Sequence, residues 1–381
     1  MIRIERRLQQ PRWLSVMVPA TALVVAFVGS ALVLVVTGHN PFTTFRRLFD
    51  AAFVAKGALS NTFTSATPLC LTGLAAAASF RMQLFNIGAE GQLYLGAIGA
   101  AGVGLVLSGQ SAPVLILAMC AAGVAAGALW ALIPGVLRAF FRTNEIITSL
   151  MLNYVGFWIL NYLIFDSLSY WRDTSSLEAR TFPQGKTLPS AADWPASTLH
   201  VGTTLVVPLG FFLAIGVAAG LWFLFSHTRF GFEMQVIGDS PRAAHYAGMR
   251  TRRKIMAVIC ISGAIAGLGG ASQDGDFRHQ LDARGLQQGL YGYTGIVVAA
   301  LGRYNPFAVV VIAFLLGGLQ NAGYTLQGAD FPAGLVGVIQ GMILFAALGT
   351  ELLVRYRIRI TAFRRRAAPA APAAPAPGAA P

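Results

Sequence analysis

The feature that most constrains the fold of this chain is a succession of long apolar segments, separated by short polar stretches, that continues to about residue 354. A bilayer core of about 30 Å requires roughly 20 helical residues per crossing, and most of these segments reach that length. Only 11% of the 381 residues are charged, whereas soluble proteins carry about 25%. Because so few charges cannot keep a long soluble chain hydrated, the sequence predicts an all-α, polytopic bundle of transmembrane helices.

The positions of the apolar segments predict about ten membrane spans. We interpret the first as an uncleaved span, because it is longer than the roughly 7–15 apolar residues of a signal peptide. The eighth is too short to cross the membrane unaided, so it is either continued by residues 285–289 or is a broken, re-entrant element. The predicted spans are Leu14–Thr37, Leu59–Phe80, Gly88–Leu107, Pro113–Phe140, Glu145–Phe165, Thr203–Ser226, Lys254–Ser272, Leu290–Leu301, Pro306–Leu326 and Pro332–Val354.

The net charge of +13 comes mostly from Lys and Arg residues in the short stretches between apolar segments. This distribution is typical of the positive-inside rule, which sets membrane orientation. A nucleic-acid-binding protein would instead cluster its basic residues on one soluble module, so we exclude nucleic acid as a partner. The charges predict a bacterial plasma (inner) membrane protein with both termini in the cytoplasm. Arg46, Arg47 and Lys56, in the first outer loop, fit this orientation less well.

The polar regions define the remaining organisation. We predict a cytoplasmic N-terminal segment at 1–13 and a membrane domain at 14–354. Residues 166–202 are expected to cap the outer face as a loop too short for an independent domain, and residues 227–253 to form a cytoplasmic loop. The tail at 355–381 is basic and then almost wholly Ala and Pro. Because that composition lacks the apolar bulk to fold, we expect a disordered cytoplasmic tail.

The sequence contains no recognisable catalytic, metal-binding or cofactor-binding motif. The histidines are not paired at metal-ligand spacing, and Cys70, Cys120 and Cys260 lie singly in apolar segments without a C-x-x-C pair. The tripeptide at 185–187, Gly-Lys-Thr, resembles the end of a phosphate-binding P-loop, but the first glycine of that motif is replaced by Arg180. We therefore expect no catalytic residues, metal or cofactor, and an integral-membrane enzyme is the less favoured class.

Polar side chains within the apolar segments are the candidate functional groups, because such groups are costly in lipid and normally face a pathway or a partner. One set lies in the run Phe-Asn-Ile-Gly-Ala-Glu-Gly-Gln at 85–92, and a second lies between 143 and 154. We predict that the two sets line a pathway through the membrane. They comprise Asn86, Glu90, Gln92, Asn144, Glu145, Asn153 and Tyr154.

Helix capping is the alternative interpretation for part of these sets, and it stays open. Glu90 is favourable at the positive N-terminal end of a helix, and Asn144 is a plausible N-cap with Glu145 in the first turn. Asn153 lies too deep to be a cap. A third set, Gln320, Asn321 and Tyr324, is interpreted as inter-helix hydrogen bonding, worth about 1 kcal/mol each.

Glycines at four-residue spacing predict close helix contacts of the G-x-x-x-G type. The three pairs are Gly123 with Gly127, Gly263 with Gly267, and Gly337 with Gly341.

The cytoplasmic loop contains a short helix whose ends are marked by the sequence. In the run at 238–248, Asp239 or Ser240 can serve as N-cap, Pro241 suits the first helical position, and Gly248 suits a left-handed stop. A helix of two turns is not stable alone. Because it lacks large apolar anchors for lipid, we expect it to dock against a cytoplasmic protein.

These residues resemble a known family, the permease subunits of bacterial ABC importers for simple sugars, nucleosides and branched-chain amino acids. The resemblance covers about Leu59 to Val354 and is carried by the run at 85–92, Thr-Asn-Glu-Ile-Ile-Thr at 143–148 with Met-Leu-Asn-Tyr at 151–154, and the run at 238–248. Ala-Leu-Gly-Arg-Tyr-Asn-Pro at 300–306 supports them. The first two motifs resemble nucleoside-type permeases most. Arg-Met-Gln at 81–83 departs from the small, glycine-containing turn of the family.

The resemblance implies a type II ABC importer-like permease domain whose short cytoplasmic helix is the coupling helix. Its expected partners are a cytoplasmic ABC ATPase, a second homologous permease in a heterodimer, an extracytoplasmic substrate-binding lipoprotein and membrane lipid. The implied coupling residues are Gly238, Asp239, Ser240, Pro241, Arg242, Ala243, Ala244 and Gly248.

The implied function is transport of nucleosides or related small polar solutes, driven by ATP hydrolysis on the partner subunit. On this interpretation, Ala244→Asp is expected to abolish ATP-driven uptake. The alternatives are a branched-chain amino-acid or sugar ABC permease and a stand-alone secondary transporter.

Overall fold

The computed structural model describes residues 2–6, 14–175, 177–201 and 203–326, several positions between 334 and 346, and 356–360. In these residues the chain is almost entirely helical, which confirms the predicted all-α membrane bundle. The helices are α1 (Leu14–Val36), α2 (Pro41–Phe49), α3 (Ala58–Phe80), α4 (Ala89–Val106), α5 (Ala112–Phe141), α6 (Glu145–Asn161), α7 (Leu177–Thr181), α8 (Leu209–His227), α9 (Arg229–Asp239), α10 (Pro241–Tyr246), α11 (Thr251–Ser272), α12 (Ala283–Gly289), α13 (Tyr291–Leu301) and α14 (Pro306–Thr325).

Three helices end in a π-helical turn, and four short strands complete the described residues. The π-helical turns are Asp50–Val54, Tyr162–Asp166 and Gln273–Arg278, and Ser190–Ala192 forms a 3₁₀ turn. The strands are β1 (Ile2–Arg6), β2 (Ala196–Val201), β3 (Thr203–Pro208) and β4 (Tyr356–Ile360).

Six helical segments of the described residues are long and apolar enough to cross a membrane. They are Ala58–Phe80, Ala112–Phe141, Glu145–Asp166, Leu209–His227, Thr251–Arg278 and Pro306–Thr325. All six correspond to predicted spans. The total of about ten stays a prediction, because the span at 332–354 falls largely outside the described residues.

The centre of the bundle is a close contact of α4, α5 and α11 made by glycines. A Cβ atom added at Gly127 would overlap the Gly263 carbonyl oxygen, and one added at Gly267 would overlap the Gly123 carbonyl oxygen. On α4, a Cβ at Gly96 would overlap the Gly267 backbone. Because these glycines have no side chain, the helix backbones approach closely and gain dispersion contacts. Two of the three predicted glycine pairs are thus confirmed as helix contacts.

Among the described residues, the third pair makes no close helix contact. Gly337 and Gly341 have no neighbouring atom within 4 Å of an added Cβ. The prediction of a close helix contact there is wrong for the described residues, because the spacing defines a smooth helix face but not what covers it.

The sixth predicted span begins later than expected. Residues 203–208 form β3, which pairs antiparallel with β2, and α8 begins only at Leu209. Pro208 stands immediately before the helix as its N-cap. Proline cannot donate the backbone hydrogen bond of a helix interior, and the β-branched residues before it suit a hairpin.

The predicted capping loop at 166–202 packs on α4 and on the turn that follows α11. The Trp171 indole N–H donates to the Ile98 carbonyl oxygen of α4 at 3.0 Å. The Trp194 backbone N–H donates to the Gly275 carbonyl oxygen, also at 3.0 Å, and Thr187 forms a β-bridge with Gln280. The P-loop-like tripeptide at 185–187 is therefore part of this cap and has no phosphate-binding turn.

The described parts of the two terminal regions pair with each other. β1 and β4 are antiparallel, with Ile2 opposite Ile360 and Arg6 opposite Tyr356. The start of the tail predicted to be disordered is thus a strand, because its alternating sequence finds a partner strand at the other end of the chain. The Ala- and Pro-rich remainder of that prediction, 361–381, lies outside the described residues.

The glycine contact between α5 and α11 gives the first testable prediction. Gly127→Ala is expected to destabilise the protein by about 1–3 kcal/mol, the usual cost of inserting a group into a filled core. Gly220→Ala is the matched control, because a Cβ at Gly220 on α8 has no neighbour within 4 Å. The apparent melting temperatures of the two variants in detergent test this prediction. Equal melting temperatures for Gly127→Ala and Gly220→Ala would contradict the close contact.

Candidate functional site

The most unusual backbone feature of the described bundle is the interruption between α12 and α13. Leu290 has φ 45° and ψ 39°, a left-handed conformation that ends one helix and starts the next. Such a conformation costs a non-glycine residue about 1–2 kcal/mol. The interruption also leaves helix-end N–H and C=O groups without intrahelical partners. The eighth predicted span is therefore the broken element, with 283–289 as a separate short helix.

Glu90, on the first turn of α4, supplies the hydrogen bonds that the start of α13 lacks. The Gly292 N–H donates to Glu90 Oε2 at 2.5 Å, and the Tyr293 N–H also donates to this carboxyl group. The Tyr94 hydroxyl donates to Glu90 Oε1 at 2.7 Å. A Cβ at Gly292 would overlap the Glu90 backbone, so glycine is required for this approach. The carboxyl group is buried and caps the broken helix from a neighbouring helix.

The other side of the interruption is held by α14 and α3. The Gln320 amide donates from Nε2 to the Gly289 carbonyl oxygen, the last residue of α12, at 2.9 Å. The Thr72 hydroxyl lies 2.8 Å from the Tyr291 carbonyl oxygen. Irregular backbone within a membrane is tolerated only where protein or water satisfies its polar groups. Side chains of three helices do so here.

A second hydrogen-bonded group surrounds the chain between α3 and α4. Asn86 and Gln92 form a reciprocal amide pair, with both N···O distances 3.1 Å. Asn86 Oδ1 also accepts the Gly88 N–H, and Asn86 Nδ2 donates to the Ser262 hydroxyl of α11 at 3.0 Å. These bonds satisfy two buried amides and fix the entry to α4.

Asn153 connects this region to α6 and to the broken helix. Its Oδ1 accepts the Gly91 N–H at 2.9 Å, and its Nδ2 donates to the Ile87 carbonyl oxygen at 2.8 Å. The same Nδ2 lies 3.3 Å from the Tyr293 hydroxyl on α13. Asn153 thus joins three elements. We call Asn86, Glu90, Gln92, Asn153 and Tyr293 the polar clamp.

The remaining predicted pathway residues lie elsewhere on α6. Asn144 is the N-cap of α6, since its Oδ1 accepts the Ile146 N–H at 3.0 Å. Glu145 forms an ion pair with Arg138 at 3.2 Å. Tyr154, beside Asn153, points outward and is 56% exposed. The structure thus brings four of the seven predicted residues together, uses Asn144 as a helix cap and Glu145 in an ion pair, and leaves Tyr154 on the surface. That they line a pathway stays a prediction.

The third set is confirmed as inter-helix hydrogen bonding for two of its members. Besides the Gln320 contact, Asn321 Nδ2 donates towards the carbonyl oxygens of Ala51 and Ala58 and the Thr62 hydroxyl, at 3.3–3.4 Å. These bonds fasten the segment after α2 to α14. Tyr324 is partly exposed and makes no such contact in the described residues.

The short helix of the loop at 227–253 forms as the sequence predicts. The Ser240 hydroxyl accepts the Ala243 N–H at 3.3 Å, Pro241 is the first helical residue, and Gly248 has φ 70°. Ala244 is fully buried, whereas Tyr246 is 91% exposed. The helix therefore does carry a large aromatic side chain on its free face, and Ala244 faces its own bundle. Ala244→Asp would thus disturb internal packing.

The loop at 227–253 is connected to the polar clamp through α9. A Cβ at Gly238, near the end of α9, would lie 3.1 Å from the Met82 carbonyl carbon, so α9 rests on the turn after α3. The Arg81 guanidinium lies 4.7 Å from the Phe225 ring centroid. Lys254, on α11, pairs with Glu233 of α9 at 2.6 Å. The departure from the family pattern at 81–83 is thus the surface on which α9 packs.

Comparison with known proteins assigns the family. The family of branched-chain amino acid transport system permease components matches residues 58–348. The chain belongs to this permease family. The permease is 34% identical to the guanosine ABC transporter permease protein NupP of Bacillus subtilis, over 86% of this chain and 91% of that protein. No solved structure matches the permease.

Two further relatives match a slightly or clearly larger share of the permease than NupP does. It is 33% identical to the glucose ABC transporter permease protein TsgB13 of Haloferax volcanii, over 96% of this chain and 95% of that protein. It is 29% identical to the nucleoside ABC transporter permease protein NupB of Lactococcus lactis, over 87% and 90% respectively.

Sequence reasoning missed several residues of the polar clamp and its surroundings. Tyr293 and Gly292 follow the break, and Thr72 and Ser262 lie in apolar helices where single hydroxyls are ordinary. The signal available was the short eighth segment, since a helix too short to cross must have a partner for its free end.

Among the described residues, no group of three His, Cys, Asp or Glu side chains is placed to bind a metal ion.

The Glu90 contact gives a second prediction. Glu90→Leu is expected to destabilise the permease by about 1–3 kcal/mol for each buried donor left without an acceptor. Glu90→Gln keeps one carboxamide oxygen as acceptor and is expected to lose clearly less. Apparent melting temperatures in detergent would compare them. If the Glu90→Leu variant had the same melting temperature as the wild type, Glu90 would not be the acceptor that stabilises the break.

Proposed function

We propose that this permease is a membrane subunit of an ATP-driven importer of nucleosides. The observation that carries the substrate class is its similarity to permeases named for guanosine and for nucleosides, at 34% and 29% identity over most of each chain. A sugar is the second candidate, because a glucose permease is 33% identical over nearly the whole chain.

The proposed motor is a separate cytoplasmic ATPase that receives α10. Two observations support this partner. The helix is only six residues long and has its free face, with Tyr246, exposed to solvent. Its buried residue, Ala244, anchors it to the permease. A short capped helix with one anchored and one free face suits transmission of force between two proteins.

The proposed route of coupling runs from α10 through α9 to the polar clamp. Movement of α10 would be carried by α9, because Gly238 rests on the Arg81–Met82 turn. That turn leads directly into Asn86, whose bonds reach α4 and α11. Asn153 and Tyr293 then connect α4 to α6 and α13. A displacement at the inner face would thus change how three helices sit around the break.

A second permease and an extracytoplasmic binding lipoprotein complete the proposed importer. Bacillus subtilis has a guanosine permease protein NupQ besides NupP, and this chain is similar to both, at 26% and 34% identity. A pair of unlike permeases is therefore the proposed membrane unit. The proposed location is the bacterial inner membrane with both termini in the cytoplasm. The pairing of β1 with β4 supports termini on one side.

Uptake by the assembled importer tests the proposed function. We expect the permease, once assembled with its proposed partners, to drive ATP-dependent uptake of radiolabelled guanosine or adenosine into proteoliposomes. These partners are the ATPase, the second permease and the binding protein. Omitting ATP is expected to abolish it. Uptake of glucose but no nucleoside would favour the second candidate, and ion-driven uptake by the permease alone would refute both.

The coupling helix can be tested separately with Tyr246→Ala. Loss of this exposed aromatic side chain is expected to reduce ATPase co-purification and ATP-driven uptake at least tenfold, because aromatic residues carry much of the binding energy of interfaces. Tyr170→Ala, a partly exposed tyrosine of the outer loop, is the control for co-purification. Full co-purification and uptake with Tyr246→Ala would exclude α10 as the main contact.

A further inference from the structure

The helix α6 has two faces of different chemistry. Its buried face packs on α4 and carries Ser149, Asn153, Gly156 and Leu160. Within the part of the chain that the structure describes, its opposite face is open along its length. The large side chains there are Ile147, Met151, Tyr154, Val155, Trp158 and, just past the helix, Tyr162.

The adjacent helix α5 shows what a lipid-facing surface of this chain looks like. Like α6, it is buried on one side only. Before its last turn, the most exposed large side chains of α5 are aliphatic, namely Val114, Leu117, Leu129 and Ile133. The exposed Tyr and Trp side chains of α6 thus distinguish its open face from that of α5.

Depth excludes the usual role of these aromatic residues. Tyr and Trp are enriched where a span meets the headgroups, and Tyr162 fits such a position at the end of its span. Tyr154 lies nine residues into the Glu145–Asp166 segment. At a rise of 1.5 Å per residue it lies about 14 Å from the start, near the middle of a bilayer core of about 30 Å.

The polar ends of these side chains have no partner in the part of the chain that is described. Neither the Tyr154 hydroxyl nor the Trp158 indole N–H forms a hydrogen bond within the described residues, and the two side chains are 56% and 64% exposed. Such groups are disfavoured in hydrocarbon. A polar or aromatic molecule, or water, would satisfy them.

The same face adjoins the polar clamp. Tyr154 directly follows Asn153 in α6. Tyr293, partly exposed itself, lies beside the break of α13 and accepts a hydrogen bond from Asn153. The aromatic face of α6 thus begins beside the residue that connects α6 to the broken element.

We propose that Tyr154, Trp158 and Tyr293 form one wall of the translocation pathway and bind the planar base of a nucleoside. The inference rests on the proposed function and deepens it. Every nucleobase offers a flat π-face that stacks on tyrosine or tryptophan, and polar edges that accept or donate hydrogen bonds. The Tyr hydroxyls and the indole N–H provide partners for those edges. A sugar without a base would lose the stacking contact.

Cysteine labelling of the complete importer tests this wall. The native cysteines Cys70, Cys120 and Cys260 are first replaced by alanine, and this background must retain nucleoside uptake. Tyr154→Cys and Trp158→Cys are then treated with a charged, membrane-impermeant thiosulfonate reagent, with Leu117→Cys on α5 as the matched control. Leu117 is 70% exposed and is expected to stay unlabelled in lipid.

The expected result is labelling of both α6 positions at least tenfold faster than of Leu117→Cys, slowed at least fivefold by saturating guanosine but not by ribose. Labelling without protection by guanosine would overturn base binding. Labelling as slow as at Leu117→Cys would overturn the pathway assignment and indicate lipid or a second permease on this face.

Transport kinetics provide a second readout that does not depend on cysteine. Trp158→Tyr keeps a stacking ring, whereas Trp158→Leu keeps only bulk. We expect Trp158→Leu to lower nucleoside uptake at least tenfold and Trp158→Tyr to lower it less than threefold, at equal membrane insertion. Equal uptake by the two variants would contradict stacking. If the wild-type importer moves no nucleoside at all, the proposed function fails rather than this inference alone.

Discussion

The structure depends on how the chain satisfies the backbone groups that are exposed where α12 ends and α13 begins. Inside a membrane, an unpaired N–H or C=O costs several kcal/mol, and water is not there to replace the lost partner. Glu90 accepts the first N–H groups of α13, and Gln320 donates to the last carbonyl of α12. The break therefore persists because side chains of α4 and α14 complete it. Because a hydrogen bond forms only at short range, these contacts also fix the positions of the helices relative to one another.

The same polar residues connect parts of the molecule that a transport cycle would have to move together. Asn86 reaches α11 and lies a few residues from the turn that supports α9, and Asn153 reaches the start of α4. Glycine contacts between α5 and α11 allow close sliding surfaces without interlocking side chains. Aliphatic contacts alone would tolerate many small displacements equally. Hydrogen bonds with defined partners favour a small number of discrete arrangements, which suits a pathway that must open on alternate sides.

Local features were predictable from the sequence, and long-range pairings were not. Ser240, Pro241 and Gly248 form the ends of α10 as expected, because caps depend on residues within a few positions. The polar residues at 86–92 were recognisable because they interrupt apolar segments. Their partners were not, since Gly292 lies 202 residues from Glu90. Which of Ala243 and Ala244 is buried depends on the helices packed against α10. The hairpin before Leu209 was missed because a run of β-branched residues next to an apolar helix has the same hydropathy as the helix.

Hydrogen exchange at the break tests the central claim most directly. The Gly292 and Tyr293 amides stand at the start of α13, where a helix without a cap would exchange rapidly. In lipid nanodiscs the peptide containing them is expected to exchange as slowly as the interior of α13, and Glu90→Leu is expected to accelerate it at least tenfold. The capped start of α14, at Phe307 and Ala308, should not respond to Glu90→Leu. Rapid exchange of Gly292 and Tyr293 in the wild type, or no change with Glu90→Leu, would contradict the account.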